Sequence, residues 1–315
     1  MYIPLVTKIL YRRKGGGGKG GGGGKGSSGG GSSEGGGSSS SGKGSTSSGG
    51  SSSGVGSRGA SVPVSGSTGV KSTSATAYGS GGGRVTTIPS GQLFAGRTVG
   101  GGTRNQVYGS QVYGSGYPGT ASRGVLGLGF PFVFWPVIWG GTLGYGGAYL
   151  YDHEYGDSTN PDRPGGPMVE ATFVSPTSNS TFHLLADNST ITSLIGSVAA
   201  NCTLGTGSTG TPFAYNSNST NTSAPLPEQV IQYYRASSVA LTLDGYNDTS
   251  ALAENQTAPD VPLPSWVDLT TLNCLNSTIG LAVPLISGGV PSLSFAPTAG
   301  SLALVWMVSA YLMGC

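Results

Sequence analysis

Apolar and polar residues alternate over Val169–Val174 and again over Thr181–Leu185, and this period of two predicts a pair of strands with Phe173, Phe182 and Leu184 in the core. From 188 to 204 the spacing changes. Ile191, Leu194, Ile195, Val198 and Cys202 recur every three or four residues behind an Asn-Ser-Thr start, which predicts a helix. Pro227 opens a second helical stretch carrying Val230, Ile231 and Tyr234, because proline suits a first helical turn. Val239–Leu243 reads as a strand ended by Asp244-Gly245. Residues 265–280, with Trp266, Leu269, Leu272, Leu275 and Ile279, predict the last helix. The fold class expected for 167–286 is a small α+β domain.

Upstream the pattern thins out. Within the basic tail 1–92, residues 15–92 are runs of Gly and Ser with isolated Lys and Arg, and no Phe or Trp precedes Phe94. Such a stretch has too little apolar surface to offset the roughly 1–2 kcal/mol per residue that ordering a backbone costs, so a mostly disordered N-terminal half is expected. Residues 93–124 form a Gly/Tyr-rich linker with a tandem QVYGS at 106–115, read as a sticky loop. Residues 125–151 are 27 uncharged residues rich in Phe, Trp, Gly and Pro, long enough to cross a bilayer. Pro131, Pro136 and seven glycines make them a poor helix, which leaves open a membrane span or a buried hairpin.

Composition sharpens this division. Of 59 glycines in 315 residues, 38 fall in 1–123 and only 10 in 167–315, so the C-terminal block has an ordinary glycine content and can support a core. Residues 1–123 carry 13 Lys and Arg against the single acid Glu34; residues 124–315 carry Arg163 and Arg235 against 12 acids. A formal net charge of +2 therefore hides a basic arm and an acidic domain, which suggests an interacting tail. Expected partners are membrane or cell-wall polysaccharide. Nucleic acid is disfavoured, since Arg58-Gly59 and Arg123-Gly124 stand alone without interleaved aromatics. The sequence says nothing of oligomeric state.

No motif carries catalysis. Gly31–Gly35 and Gly50–Gly54 match the hydrolase elbow G-x-S-x-G, but neither has the strand before it or the helix after it. Asp152, His153, Glu154 and Asp157 could ligate a metal in principle, yet their spacing fits no known ligand pattern, and His183 is the only other histidine. Asp187, Glu228, Asp244 and Asp260 are scattered and read as turn or cap residues. The expectation is no catalytic residue, no cofactor and no metal.

The informative signals concern modification. Eight of ten asparagines between 171 and 280 begin N-x-S/T: Asn179, Asn188, Asn201, Asn218, Asn221, Asn247, Asn255 and Asn276. At the Ser and Thr content of that stretch chance would give about three, so passage through a secretory compartment is expected. Cys202 and Cys274 would pair under oxidising conditions. Residues 287–315 hold small residues (Ser287, Gly288, Gly289), an uncharged spacer and the apolar run 299–315. That order matches a glycolipid (GPI) anchor signal, with a membrane helix as the alternative. Residues 2–11 are apolar but broken by Pro4 and Lys8, and lack the basic lead and cleavage site of a signal peptide.

GFPFVFWPVIWGG at 129–141, RPGGPM at 163–168, VIQYYRASSVALTLDGYN at 230–247 and PSWVDLTTLNCLN at 264–276 follow the basic Gly/Ser-rich tail. Together they resemble the predicted surface proteins of mushroom-forming fungi, over roughly residues 95–285. The resemblance implies a cell-surface location and brings no activity with it. The functional expectation is a structural or interaction protein of the fungal cell surface. A membrane protein with a cytosolic basic tail is the first alternative, and an enzyme the second.

Overall fold

The structure is a computed structural model and describes residues 56–66, 74–119, 123–139, 150, 153–155, 157–215, 224–253 and 258–287. At its centre lies an antiparallel sheet of five strands: β5 (Met168–Val174), β6 (Thr181–Asp187), β7 (Phe213–Ala214), β8 (Val230–Tyr234) and β9 (Val239–Leu243). Their order across the sheet is β7-β5-β6-β9-β8. The β5–β6 turn is built by Ser175, whose hydroxyl accepts from the Thr177 and Ser178 amides at 3.1 and 3.0 Å. Register then places Phe173 opposite Phe182 and Ala171 opposite Leu184 on one face, and Thr172 opposite His183 and Glu170 opposite Leu185 on the other.

Helices α1 (Asn188–Asn201) and α2 (Leu269–Ala282) pack against each other, and α1 packs on β5 and β6. Each starts at an aspartate. Asp187 accepts from the Thr190 amide at 2.9 Å, and Asp268 accepts from the Thr270 and Thr271 amides at 2.8 and 3.1 Å. The buried residues Ile191, Leu194, Ile195 and Val198 of α1, and Leu272, Leu275 and Ile279 of α2, recur at helical spacing. The α+β expectation for this region therefore holds, with one exchange. Pro227–Gln229 is a single 3-10 turn, and the chain then enters β8 rather than a helix. Val230, Ile231, Tyr233 and Tyr234 are β-branched or aromatic, and every residue of the strand is buried.

The larger departure lies upstream. Disorder was expected through residue 92, yet β1 (Ser61–Pro63) pairs with β2 (Ser74–Thr76), and β3 (Thr86–Thr87) pairs with β4 (Thr98–Val99). Ala60, Val62, Val64, Ala75, Ala77 and Ile88 are buried there. The expected loop at 93–124 is packed too: Val107, Tyr113 and Tyr117 are buried, and residues 107–110 run beside β8, with Gly109 N–H donating to Tyr233 O and Tyr233 N–H to Ser110 O. Residues 125–139 of the uncharged stretch are packed into the core. They are not helical, and Phe130, Phe132, Val133, Phe134, Trp135, Val137, Ile138 and Trp139 are all buried. No helix among the described residues is long and apolar enough to cross a membrane.

Residues 138–139 of this segment cover the sheet face that the helices leave, while Gly56 O accepts from Ser197 of α1 and Arg104 donates to Gly280 O of α2. Ile138 N–H donates to Met168 Sδ at 3.4 Å, and Trp139 Nε1 to the Tyr233 hydroxyl at 3.1 Å. On the opposite face Tyr234 donates to Asn276 of α2. Residues 1–55, residues 140–149 of the uncharged stretch and the apolar run 299–315 lie outside the described residues.

Candidate functional site

Four of the sequon asparagines are exposed: Asn179 in the β5–β6 turn, Asn188 and Asn201 at the two ends of α1, and Asn247 after β9. Asn276 differs. It sits midway along α2, half-buried; its Oδ1 accepts from the Tyr234 hydroxyl at 2.9 Å and its carbonyl from the Tyr108 hydroxyl at 3.5 Å. Asn218, Asn221 and Asn255 lie outside the described residues. Cys202, the residue that ends α1, is disulfide-bonded to Cys274 of α2 with Cα atoms 5.7 Å apart, so the bridge ties the two helices. Ser287 is exposed and bridged to Gly82, while Gly288 and Gly289 lie outside the described residues.

The acids that are scattered in sequence do not stay scattered. On the sheet face away from the helices, His183 stands between Thr172 and Asp244. Its Nδ1 lies 3.3 Å from Thr172 Oγ1, and its Nε2 lies 3.1 Å from Asp244 Oδ1. Glu170 is buried on the neighbouring strand with no hydrogen-bond partner among the described residues. Burial drives its pKa up to about 7; the nearby His183 opposes that rise and Asp244 adds to it. A hydroxyl, an imidazole and a carboxylate in contact have the connectivity of a nucleophile–base pair with an orienting acid. The Thr172 amide donates to Thr209 Oγ1 at 2.8 Å and its carbonyl accepts from the Thr209 amide, which fixes the strand on which the hydroxyl is carried. Thr172, His183 and Asp244 thus form one chain of polar contacts. No spacing in the sequence pointed to it, since cross-strand register alone brings these residues together.

Asp187 does more than cap α1. Its Oδ2 accepts from Arg235 Nη2 at 2.7 Å, while Arg235 also donates to Thr190 Oγ1, Pro284 O and Ser238 Oγ. The guanidinium lies 3.5 Å from the Phe134 ring centroid and is fully buried; burial lowers its pKa to about 10, against the opposing charge of Asp187. Arg235, Ala236 and Ser237 all take left-handed backbone angles, with φ of 48°, 48° and 56°. That conformation costs a non-glycine residue about 1–2 kcal/mol. The guanidinium contacts hold it, with Gly114 N–H donating to Ser237 Oγ and Val137 N–H to Ser237 O.

Of Asp152, His153, Glu154 and Asp157, Glu154 pairs with Arg97 and accepts from the Gly127 amide, while Asp152 lies outside the described residues. Among the described residues no group of three or more His, Cys, Asp or Glu is placed to hold a metal. No protein-family model, no curated protein and no solved structure matches the chain.

Proposed function

We propose that the protein is a glycosylated structural or interaction protein of the cell surface, whose basic N-terminal arm engages acidic polysaccharide or anionic membrane. The observation that carries this reading is the sequon density between residues 171 and 280, eight of ten asparagines. The exposure of Asn179, Asn188, Asn201 and Asn247 supports it, as does the disulfide between α1 and α2. Beyond its first eleven residues the arm carries charge with few apolar residues. Residues 1–55 hold seven Lys and Arg against Glu34, a pattern suited to non-specific, salt-sensitive attraction.

The decisive experiment is peptide N-glycosidase digestion of the protein recovered from a secreting eukaryotic host. A stepwise loss of mass is expected, with Asn179, Asn188, Asn201 and Asn247 converted to aspartate. An unchanged mass would sink the reading. Retention on an acidic polysaccharide column, released by salt and lost on removal of residues 1–55, tests the arm separately.

A further inference from the structure

The sequon at Asn276 is built differently from its neighbours. Asn247 and Thr249, the amide and hydroxyl of one sequon, are both exposed in the chain that follows β9. Asn201 and Thr203 are likewise exposed where α1 ends. Asn276-Ser277-Thr278 lies inside α2 instead. Residues two apart on a helix are rotated by about 200° around its axis, so the Asn276 and Thr278 side chains point away from each other.

Each of the two sides is occupied. Thr278 is buried, and its Oγ1 lies 3.5 Å from Cys202 Sγ. It stands one turn after Cys274, so the hydroxyl and the disulfide share the face turned to α1. Asn276 faces β8 and residues 104–110. Its Oδ1 accepts from the hydroxyl of Tyr234, a fully buried residue, at 2.9 Å. The Tyr108 ring packs 5.9 Å from the Tyr234 ring and lies against Gly280, one turn further along α2. Nδ2, the atom that receives a glycan, shares its carbon with the Oδ1 that Tyr234 holds. A glycan there would place a bulky, hydrated group at a contact between packed elements.

We propose that folding and N-glycosylation exclude each other at Asn276. The transferase needs the amide and the hydroxyl of a sequon together, and the closed helix keeps them apart. A glycan attached before folding holds α2 off β8 and off Tyr108. The inference rests on the glycoprotein reading above for its place in the cell. Chains that fold first keep a bare Asn276, and chains modified there first stay open, so the site marks chains that have missed their fold.

The test offers the full chain, produced without glycans, to an oligosaccharyltransferase with a lipid-linked oligosaccharide. One sample is oxidised and folded; the other is reduced in urea and diluted into the assay. Peptide mapping reads each sequon, with Asn247 as the internal standard. In the folded chain Asn276 reacts only through local opening of a helix tied by a disulfide, so its occupancy should be at least about tenfold below that of Asn247. In the reduced chain the two sites should react alike. After reoxidation, chains modified at Asn247 alone should regain slow hydrogen exchange in α2, and chains modified at Asn276 should not. Equal occupancy of the two sites in the folded chain overturns the proposal. A bare Asn276 in the reduced chain does the same, since the sequon would then be unreactive whatever the fold. Native protection of α2 with a glycan on Asn276 overturns it as well. None of these outcomes depends on where the protein travels, which the mass of the secreted chain measures separately.

Discussion

Two parts of the molecule, the helical layer and the N-terminal segment, are built by different means. In the first, α1 and α2 bury apolar stripes at helical spacing, start at aspartate caps and are tied by a disulfide. The other part, drawn from residues 56–139, is short two-stranded ribbons and irregular chain that reach the helices as well as the far sheet face: Gly56 O accepts from Ser197 of α1, Arg104 donates to Gly280 O of α2, and Trp139 Nε1 donates to the Tyr233 hydroxyl. The helical side organises itself locally. The N-terminal side needs the sheet as its template, since its backbone bonds run to distant partners: Thr76 to Leu285, Tyr108 beside Tyr234, Val137 N–H to Ser237 O. Glycine and serine content therefore did not decide disorder here. What decided it was whether the sparse apolar residues found a surface already made.

Arg235 joins the two sides, and its loss should do the most damage. Replacing it with alanine strands the buried Asp187 carboxylate and removes the cation from Phe134, at an expected cost of about 3–5 kcal/mol. Urea unfolding should show a single transition at a much lower midpoint. Two transitions, with the N-terminal segment released first, would mean that the sides are not coupled through this residue.

Opening the Cys202–Cys274 bridge comes next, at about 2–4 kcal/mol in the usual range for a native disulfide. Because the bridge joins α1 to α2, hydrogen exchange in Cys202→Ser/Cys274→Ser should rise mostly in the helices. Equal acceleration over residues 107–117 would contradict a division between the two sides.

Gly280→Ala probes the contact from the other direction. A methyl group there would overlap the Tyr108 ring, which lies directly against the helix. Overpacking of this kind costs about 1–3 kcal/mol, and its consequence should be displacement of residues 104–110 from α2 with the sheet intact. Arg104, which donates to Gly79 O and Gly280 O, would lose its seat with them. Faster exchange limited to that stretch is the expected result.

Legibility in the sequence follows the same divide. β5, β6, β9, α1 and α2 were readable because their apolar residues repeat at periods of two or 3.6, and a period needs no knowledge of the partner. Pro227 misled because its N-cap grammar was satisfied by one 3-10 turn, while the burial of Val230 to Tyr234 selected a strand. The N-terminal side was unreadable because Val62, Ala75, Val107 and Tyr117 carry no period at all. The polar cluster was hidden for a related reason: Glu170, Thr172 and His183 come together only through strand register.

Glu170 gives the smallest predicted effect and the most specific one. Its carboxyl is buried without a partner and its pKa stands at about 7 against an ordinary value of 4.5. The folded chain thus holds this proton more tightly than the unfolded chain. The resulting stabilisation is complete below pH 4.5 and is lost as pH rises through 7. Glu170→Gln cannot ionise, so it should match wild type near pH 5 and exceed it near pH 8 by about 1–2 kcal/mol, after allowing for partial solvent screening. Urea midpoints at the two pH values would measure the difference. Curves that stay parallel would show that the carboxyl ionises at no cost, and that the His183–Asp244 contact beside it, and not burial, sets the charge on this face of the sheet.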